Sequence, residues 1–349
     1  MGHRCQLRGR NRTRRKGHRQ GRGLHCLRPG IQSEIGNRQP AMLKTRFAPS
    51  LTGYLHLGHV LHMLYVWGIA RAQGGKVISR IEDHDLSRNR PEYEPAILTD
   101  MQWLGFVPDL GISATDAPKP SPYRQSDCAP RYEEALRFLA EKGLVYGCEC
   151  SRKEILAKQP EGREEPCYPG TCAKKNLSLE GHTVRVRVPA GEVAFRDLAR
   201  GECHQTPAIQ CGDFSLRDRN GQWAYQFCCV CDDIHHGVNL VVRGEDILSS
   251  TARQIQLFLA LEHEPPNYFH HGLLCDADGQ KLSKRQRSES ITQLCEDGVS
   301  AEEIIGRAAF AGGLVSESVP MSAESISENV AVLLRSTPRT LSHSVEQRL

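Results

Sequence analysis

The chain has no run of 18 apolar residues, so it offers no transmembrane helix. Its N-terminal end lacks an apolar core segment, which excludes a secretory signal as the reading of that end. Aromatic residues make up only 6% of 349 positions. Acidic residues are nearly missing from the first forty, where Glu34 faces eleven Lys and Arg. The rest of the chain holds 34 basic and 40 acidic residues, so the net charge of +4 hides a mildly acidic body behind a basic tail. Mean hydropathy is −0.46. These values describe a soluble, cytoplasmic globular protein without a membrane partner, with length for one large domain or two ordinary ones.

Residues 1–41 are rich in Gly, Arg, Gln and His and show no apolar periodicity, so disorder is expected there. Three readings stand: an RNA-binding arm, a transit peptide short of Ser and of amphipathic pattern, or a start wrongly placed ahead of Met42. A dispensable extension is the expectation. The 14 cysteines are spread along the chain without a secretory signal, which favours reduced thiols or a metal over disulfides. Cys228, Cys229 and Cys231 lie in or beside the apolar run 227–230 and read as core thiols.

Residues 44–48 read as extended. Leu57, Val60, Leu61, Leu64 and Trp67 then recur at helical spacing up to Gly74 and Gly75. The β-branched run 76–81 predicts a buried strand. Residues 92–104 predict a helix with Tyr93, Ile97, Leu98, Met101 and Leu104 on one face. Strand, helix, strand, helix implies a βαβ unit and a parallel sheet. Prolines 118, 120 and 122 break the pattern. An amphipathic helix over 129–142 and a strand over 145–150 follow. Val184, Val186 and Val188 alternate with Arg185 and Arg187, as in an antiparallel strand. Residues 120–210 therefore read as an insertion of different architecture. Residues 224–232 and 240–242 read as buried strands, and 251–261, 291–294 and 301–311 as helices. The last thirty residues are expected to fray.

Arg46-Phe47-Ala48-Pro49-Ser50 leads into His56-Leu57-Gly58-His59, where a loop turns into a helix. A helix N-terminus offers unpaired N–H groups and a positive dipole end to an anion. Gly58 allows close approach of a nucleotide, and two imidazoles can donate to a phosphate as it gains charge. Downstream, Lys281-Leu282-Ser283-Lys284-Arg285 follows the turn composition of Asp276 to Gln280. Its ammonium groups can close over the phosphates of a leaving pyrophosphate. Alone, either motif reads more readily as surface: two histidines near a helix start, or a solvated basic loop. In this order they point to adenylate chemistry.

These two motifs, with Arg80-Ile81-Glu82-Asp83, Tyr225, Asp232-Asp233 and Val242-Arg243-Gly244-Glu245-Asp246 between them, resemble the class I glutamyl-type aminoacyl-tRNA synthetases over about residues 44–313. The family usually has Pro where this chain has Leu51, and Ser is class-wide where Arg285 stands. The resemblance implies an α/β fold: a Rossmann-type parallel-sheet catalytic domain with an inserted, zinc-bearing α+β domain like an acceptor-binding domain. The expected plan is a disordered extension over 1–41, a catalytic domain over 42–119 and 211–275, an inserted tRNA-binding domain over 120–210, and the Lys281–Arg285 loop with a C-terminal helical segment over 276–349.

Glutamate carries two carboxylates and one ammonium. Arg46 and Arg243 supply rigid forks for carboxylates, Glu82 an anion for the ammonium, and Tyr225 a hydroxyl. Each could equally be a structural ion-pair partner. The resemblance makes them glutamate ligands, with Phe47, Ala48, Pro49 and Ser50 beside them. It makes His56, Gly58, His59 and Lys284 ATP ligands and assigns catalysis to His56, His59, Lys281 and Lys284, with Mg2+ accompanying ATP. Cys148-Glu149-Cys150 followed by Tyr168 and Cys172 offers three thiolates and a phenolate to one structural zinc ion. Cys167 competes as a ligand, and reduced surface cysteines are the alternative. The resemblance favours zinc, since many of these enzymes carry the same spacing.

Only 64 residues follow Arg285, where the ordinary enzyme continues into an anticodon-binding domain. The chain therefore resembles the shortened branch of the family, whose members activate glutamate without tRNA and attach it to the queuosine base of tRNA(Asp). L-glutamate, ATP and queuosine-containing tRNA(Asp) are the implied partners of a monomer. Two alternatives stay open: an ordinary or fragmentary synthetase charging a tRNA 3′ end, and a non-catalytic RNA-binding relative.

Overall fold

In the computed structural model, strand β1 (Lys44–Phe47) buries three of its four residues and leads to helix α1 (Leu57–Ala72). Residues 42–159, 165–274, 289–325 and Val330 are described; residues 1–41, the loop bearing Lys281 and Lys284, and most of the last thirty residues lie outside them. Helix α1 is apolar on nearly every side because it lies in the main core, where Val60, Leu61, Leu64 and Trp67 pack with residues from both ends of the chain. Strand β2 (Lys76–Ser79), helix α2 (Tyr93–Trp103) and strand β3 (Leu110–Gly111) follow. β1, β2 and β3 pair in parallel in that order. This is the βαβ arrangement that the periodicity predicts.

Helix α3 (Ala129–Glu141), strand β4 (Val145–Cys148), the short helix α4 (Arg152–Leu156) and strand β5 (Thr183–Val186) come next. β6 (Val193–Asp197) and β7 (Gly201–Gln205) form an antiparallel hairpin, followed by α5 (Pro207–Gln210) and β8 (Ser215–Arg217). β4, β5 and β8 make a small antiparallel sheet. Tyr132, Leu136 and Leu139 of α3 pack into the same apolar cluster as Val184 and Leu216 of that sheet.

After α6 (Tyr225–His236) come β9 (Leu240–Gly244), α7 (Thr251–Ala260) and β10 (Asn267–His271). β9, β10 and β6 pair in parallel and β7 closes the edge, in the order β7-β6-β10-β9. Helices α8 (Ile291–Glu296) and α9 (Ala301–Ala311) follow, and the buried faces of both join the main core. β1 and β9 lie side by side: Asn239 N–H donates to Lys44 O at 3.1 Å, and Lys44 N–H donates to Asn239 Oδ1 at 2.8 Å. The chain order reverses between these strands. In open α/β sheets, ligands bind outside the carboxyl ends of the strands at such a switch.

Two expectations need correction. The boundary drawn at residue 210, between segments 120–210 and 211–275, cuts across the pairing. β8 lies beyond it yet completes the small sheet with β5, while β6 and β7 lie before it yet extend the parallel sheet through β10. Residues 224–232, expected as a strand, belong to helix α6. Residues 227–233 are all buried, so no polar face betrayed the helical period. Its end is marked in the sequence by Gly237, which takes φ 66° in the left-handed region where glycine is favoured.

Candidate active site

Helix α1 begins at the carboxyl end of β1 with His56 as its N-cap. Gly58 N–H donates to His56 Nδ1 at 3.1 Å, and His56 N–H donates to His59 Nδ1 at 3.1 Å. The two rings lie 4.0 Å apart, centre to centre. An imidazole that accepts at Nδ1 carries its proton, when neutral, on Nε2, so both rings are set as Nε2–H donors. Both histidines thus stand in the first turn of α1, His56 at the N-cap and His59 three residues on.

At the carboxyl ends of β1 and β2 lies a buried ion network. Arg80, fully enclosed, donates from Nη1 to Asp233 Oδ1 at 2.7 Å and from Nη2 to Glu82 Oε1 at 2.9 Å. Arg46 Nε donates to the same Asp233 carboxylate at 3.2 Å. Asp232 accepts from Tyr132 OH at 3.0 Å and from Gln125 Nε2 at 2.9 Å. Arg46, expected as a fork for a substrate carboxylate, thus already faces a protein carboxylate. Phe47 points into the core against His62 and Trp67. Ala48 is partly buried, Pro49 O accepts from Glu82 N–H at 3.0 Å, and Ser50 is exposed with its hydroxyl 3.1 Å from that of Thr52. Leu51, standing where the family has Pro, is buried in the main core.

Arg243 is held differently. It stands one residue before the end of β9 and is buried, yet its three acceptors are uncharged: His270 Nε2 at 2.9 Å, Gln254 Oε1 at 2.6 Å and Thr251 Oγ1 at 2.9 Å. Its guanidinium sits 5.3 Å from the centre of the Tyr268 ring. Tyr225, at the start of α6, feels the charges of Glu82, Arg243 and Arg46. Burial, then Cys229 and Glu82, push its hydroxyl well above the ordinary value of 10.0, so it remains a neutral donor. Cys229, one turn on, has its thiol pushed up to about 12 by burial and the nearby acids Asp233 and Glu82. The loop carrying Lys281 and Lys284 lies outside the described residues. A cavity of about 460 Å3 opens where β10 ends, lined by Tyr65, Arg200, His270 and His271 among others.

In the small sheet, Cys148, Cys150 and Cys172 bring their sulfurs within 4.8 Å of one another. Tyr168 OH lies 3.2 Å from Cys148 Sγ and 3.9 Å from Cys150 Sγ, and accepts from Cys172 N–H at 2.8 Å. Three thiols and a phenol around one point could hold a metal ion. Cys167 is not part of the cluster; its thiol faces Ala208 O at 3.7 Å.

The family described as tRNA synthetases class I (E and Q), catalytic domain, matches residues 42–314. The chain belongs to this family. Among similar class I tRNA synthetases, a glutamyl-Q tRNA(Asp) synthetase of Nitratidesulfovibrio vulgaris is 42% identical over 297 residues, spanning 80% of this chain and 89% of that protein. One from Symbiobacterium thermophilum is 38% identical, spanning 82% and 91%. A glutamate–tRNA ligase 2 of Syntrophus aciditrophicus is 37% identical, spanning 78% of this chain but 58% of that protein. Among solved structures, a glutamate tRNA ligase from Elizabethkingia meningosepticum in complex with its amino acid superposes with a TM-score of 0.69 at 25% identity, covering 82% of this chain and 64% of that one. The catalytic domain of this class I family thus has a Rossmann-like α/β fold with a parallel sheet, as the motifs implied.

Reading from sequence missed the side chains that hold these groups in place. Arg80, Asp232 and Asp233 appear there only as motif letters, and Asp197 and His270 not at all. A buried arginine inside an otherwise β-branched run, Arg80 after Ile78, was the available signal, because an isolated buried charge demands a partner elsewhere.

Proposed function

We propose that the chain activates L-glutamate with ATP in the absence of tRNA and transfers it to the queuosine base in the anticodon loop of tRNA(Asp). The observation that carries this reading is coverage. Relatives named glutamyl-Q tRNA(Asp) synthetase are matched over about nine-tenths of their length, against about three-fifths for the glutamate–tRNA ligases.

Arg243 receives a glutamate carboxylate on its fork, Glu82 attracts the ammonium, and Tyr225 donates its hydroxyl. A carboxylate oxygen of glutamate attacks the α-phosphorus of ATP, and pyrophosphate leaves; Mg2+ bound with ATP would help to neutralise its charge. His56 and His59 donate from Nε2 to the phosphate oxygens as charge builds, and Lys281 and Lys284 neutralise the leaving group. A nucleophile on queuosine then attacks the activated carbonyl and AMP departs. Cys148, Cys150, Cys172 and Tyr168 fit a structural zinc site whose four protein ligands leave no position for substrate. The small sheet around it forms the tRNA-binding lobe. The protein acts in the cytoplasm; no helix among the described residues is long and apolar enough to cross a membrane.

The deciding experiment measures glutamate-dependent ATP–pyrophosphate exchange without RNA, then glutamate transfer to queuosine-bearing tRNA(Asp) and to tRNA(Glu). Exchange without RNA and transfer to tRNA(Asp) alone are expected. Exchange that requires tRNA(Glu), with charging of its 3′ end, would replace this reading with the ordinary synthetase.

A further inference from the structure

We propose that Asp197 and His270 are positioning residues for substrate recognition, a buried pair that orients Arg243 toward the side-chain carboxylate of the amino acid while leaving its charge uncompensated. This rests on the reading of the pocket as a glutamate site.

The hydrogen bonds run in one consistent direction. Asp197 Oδ1 accepts from Ala199 N–H at 2.9 Å and Arg200 N–H at 3.0 Å, and Oδ2 lies 2.6 Å from His270 Nδ1. A carboxylate can only accept, so the ring proton sits on Nδ1. Nε2 is then an acceptor and takes the Nε–H of Arg243 at 2.9 Å. Neither Asp197 nor His270 reaches solvent, with exposures of 0% and 1%. Burial lowers the pKa of His270 below the ordinary 6.5 and Arg243 adds to this, while Asp197 pulls the other way. The imidazole is therefore neutral at neutral pH.

A guanidinium has five N–H donors. Three on Arg243 go to His270, Gln254 and Thr251. The two left over make up the donor capacity that a carboxylate can take bidentately. Arg46 shows the other arrangement, with Asp233 directly on its guanidinium. An arginine neutralised in that way loses much of its preference for a carboxylate over an amide. Placing the acid one imidazole away from Arg243 fixes the plane of the fork without cancelling its charge. The geometry thus favours an acidic side chain over glutamine.

Asp197→Asn tests the direction of the relay. Its amide is nearly isosteric, and the backbone N–H groups of Ala199 and Arg200 hold its oxygen. Its NH2 then faces His270 Nδ1, moves the ring proton to Nε2, and sets two donors against each other at Arg243. His270→Gln supplies an acceptor to Arg243 with no need for Asp197. In the exchange assay, Asp197→Asn should raise the glutamate KM at least tenfold, leave the ATP KM within twofold, and narrow the preference for glutamate over glutamine. His270→Gln should do less, and the double variant should be no worse than His270→Gln alone.

A wild-type glutamate KM in Asp197→Asn overturns the positioning pair. So do equal rises in both KM values, or additive losses in the double variant, since a purely structural role gives those. If Asp197→Asn does not fold, the selectivity of His270→Gln decides between the same outcomes. Wild-type protein that exchanges pyrophosphate with neither glutamate nor glutamine overturns the glutamate reading itself, and the pair with it.

Discussion

Arg80 Nη1 stands 2.7 Å from Asp233 Oδ1, and both side chains are sealed from water. Arg46 shares the same carboxylate, so Asp233 ties β1 and the residue that follows β2 to α6. Removing one partner of a buried pair leaves an uncompensated charge and costs about 3–5 kcal/mol. Asp233→Asn should therefore unfold at markedly lower denaturant than the wild type.

The same residue sets a pH dependence. Burial alone would raise the Asp233 pKa, but Arg46 and Arg80 outweigh it and hold it below the ordinary 3.8. A depressed acid stabilises the fold above its unfolded value and loses that contribution as pH falls through its folded value. Wild-type melting temperature should fall steeply in acid below that ordinary value. The Asp233→Asn curve should lack this part of the fall, and parallel curves would remove Asp233 as its source.

Gly58 lies against the His56 ring. A Cβ added there would meet His56 Cε1 at 3.0 Å and Nδ1 at 3.1 Å. Gly58→Ala should displace the ring and weaken its cap on the Gly58 N–H, at a cost of about 1 kcal/mol. Alanine returns about 0.8–1 kcal/mol in helix propensity. The variant should melt close to wild type yet exchange pyrophosphate many-fold more slowly. Unchanged exchange would mean that the ring orientation does not matter to the phosphates.

Purified protein should carry about one zinc per chain, as a four-ligand structural site requires. Cys150→Ser should lose the metal and loosen the small sheet. Since Arg243, His56 and Lys284 are remote in sequence from these ligands, adenylation should suffer less than transfer to RNA. Metal analysis that finds no zinc in protein prepared without chelator would end the zinc assignment.

Deletion of residues 1–41 should leave a folded, active enzyme, because this stretch has no apolar periodicity with which to join a core and the family match starts at residue 42. The eleven basic residues of the tail would add only salt-sensitive RNA affinity. Transfer to tRNA(Asp) by the long and short proteins, compared at low and physiological salt, measures this. A large loss in the short form at physiological salt would make the tail an RNA arm.

The first βαβ unit was legible because its period, glycines and β-branched run are all local signals. The start of α1 at His56 was legible because a helix start needs no distant partner. Helix α6 was not, since burial on every side erased its period. The support of Arg243 was hidden for a different reason. Asp197 and His270 are 73 residues apart, and Asp197 sits in a stretch whose alternation suggested another domain. Hydrogen-bonded tautomers leave no mark on composition, so that relation emerges only once β6 is laid against β10.

Strand β10 lies between β9 and β6 but is, of the ten strands among the described residues, the last to be synthesised. A nascent chain can assemble β1, β2 and β3 early, and the small sheet once β8 is complete. Until residues 267–271 emerge, β9 and the β6–β7 hairpin have no common neighbour, and Arg243 has no imidazole beside it. The junction around Arg243 is therefore closed late, by pairing between distant segments, which is the slow kind of contact in folding. A ribosome-bound chain halted before His270 would lack the imidazole that accepts from Arg243.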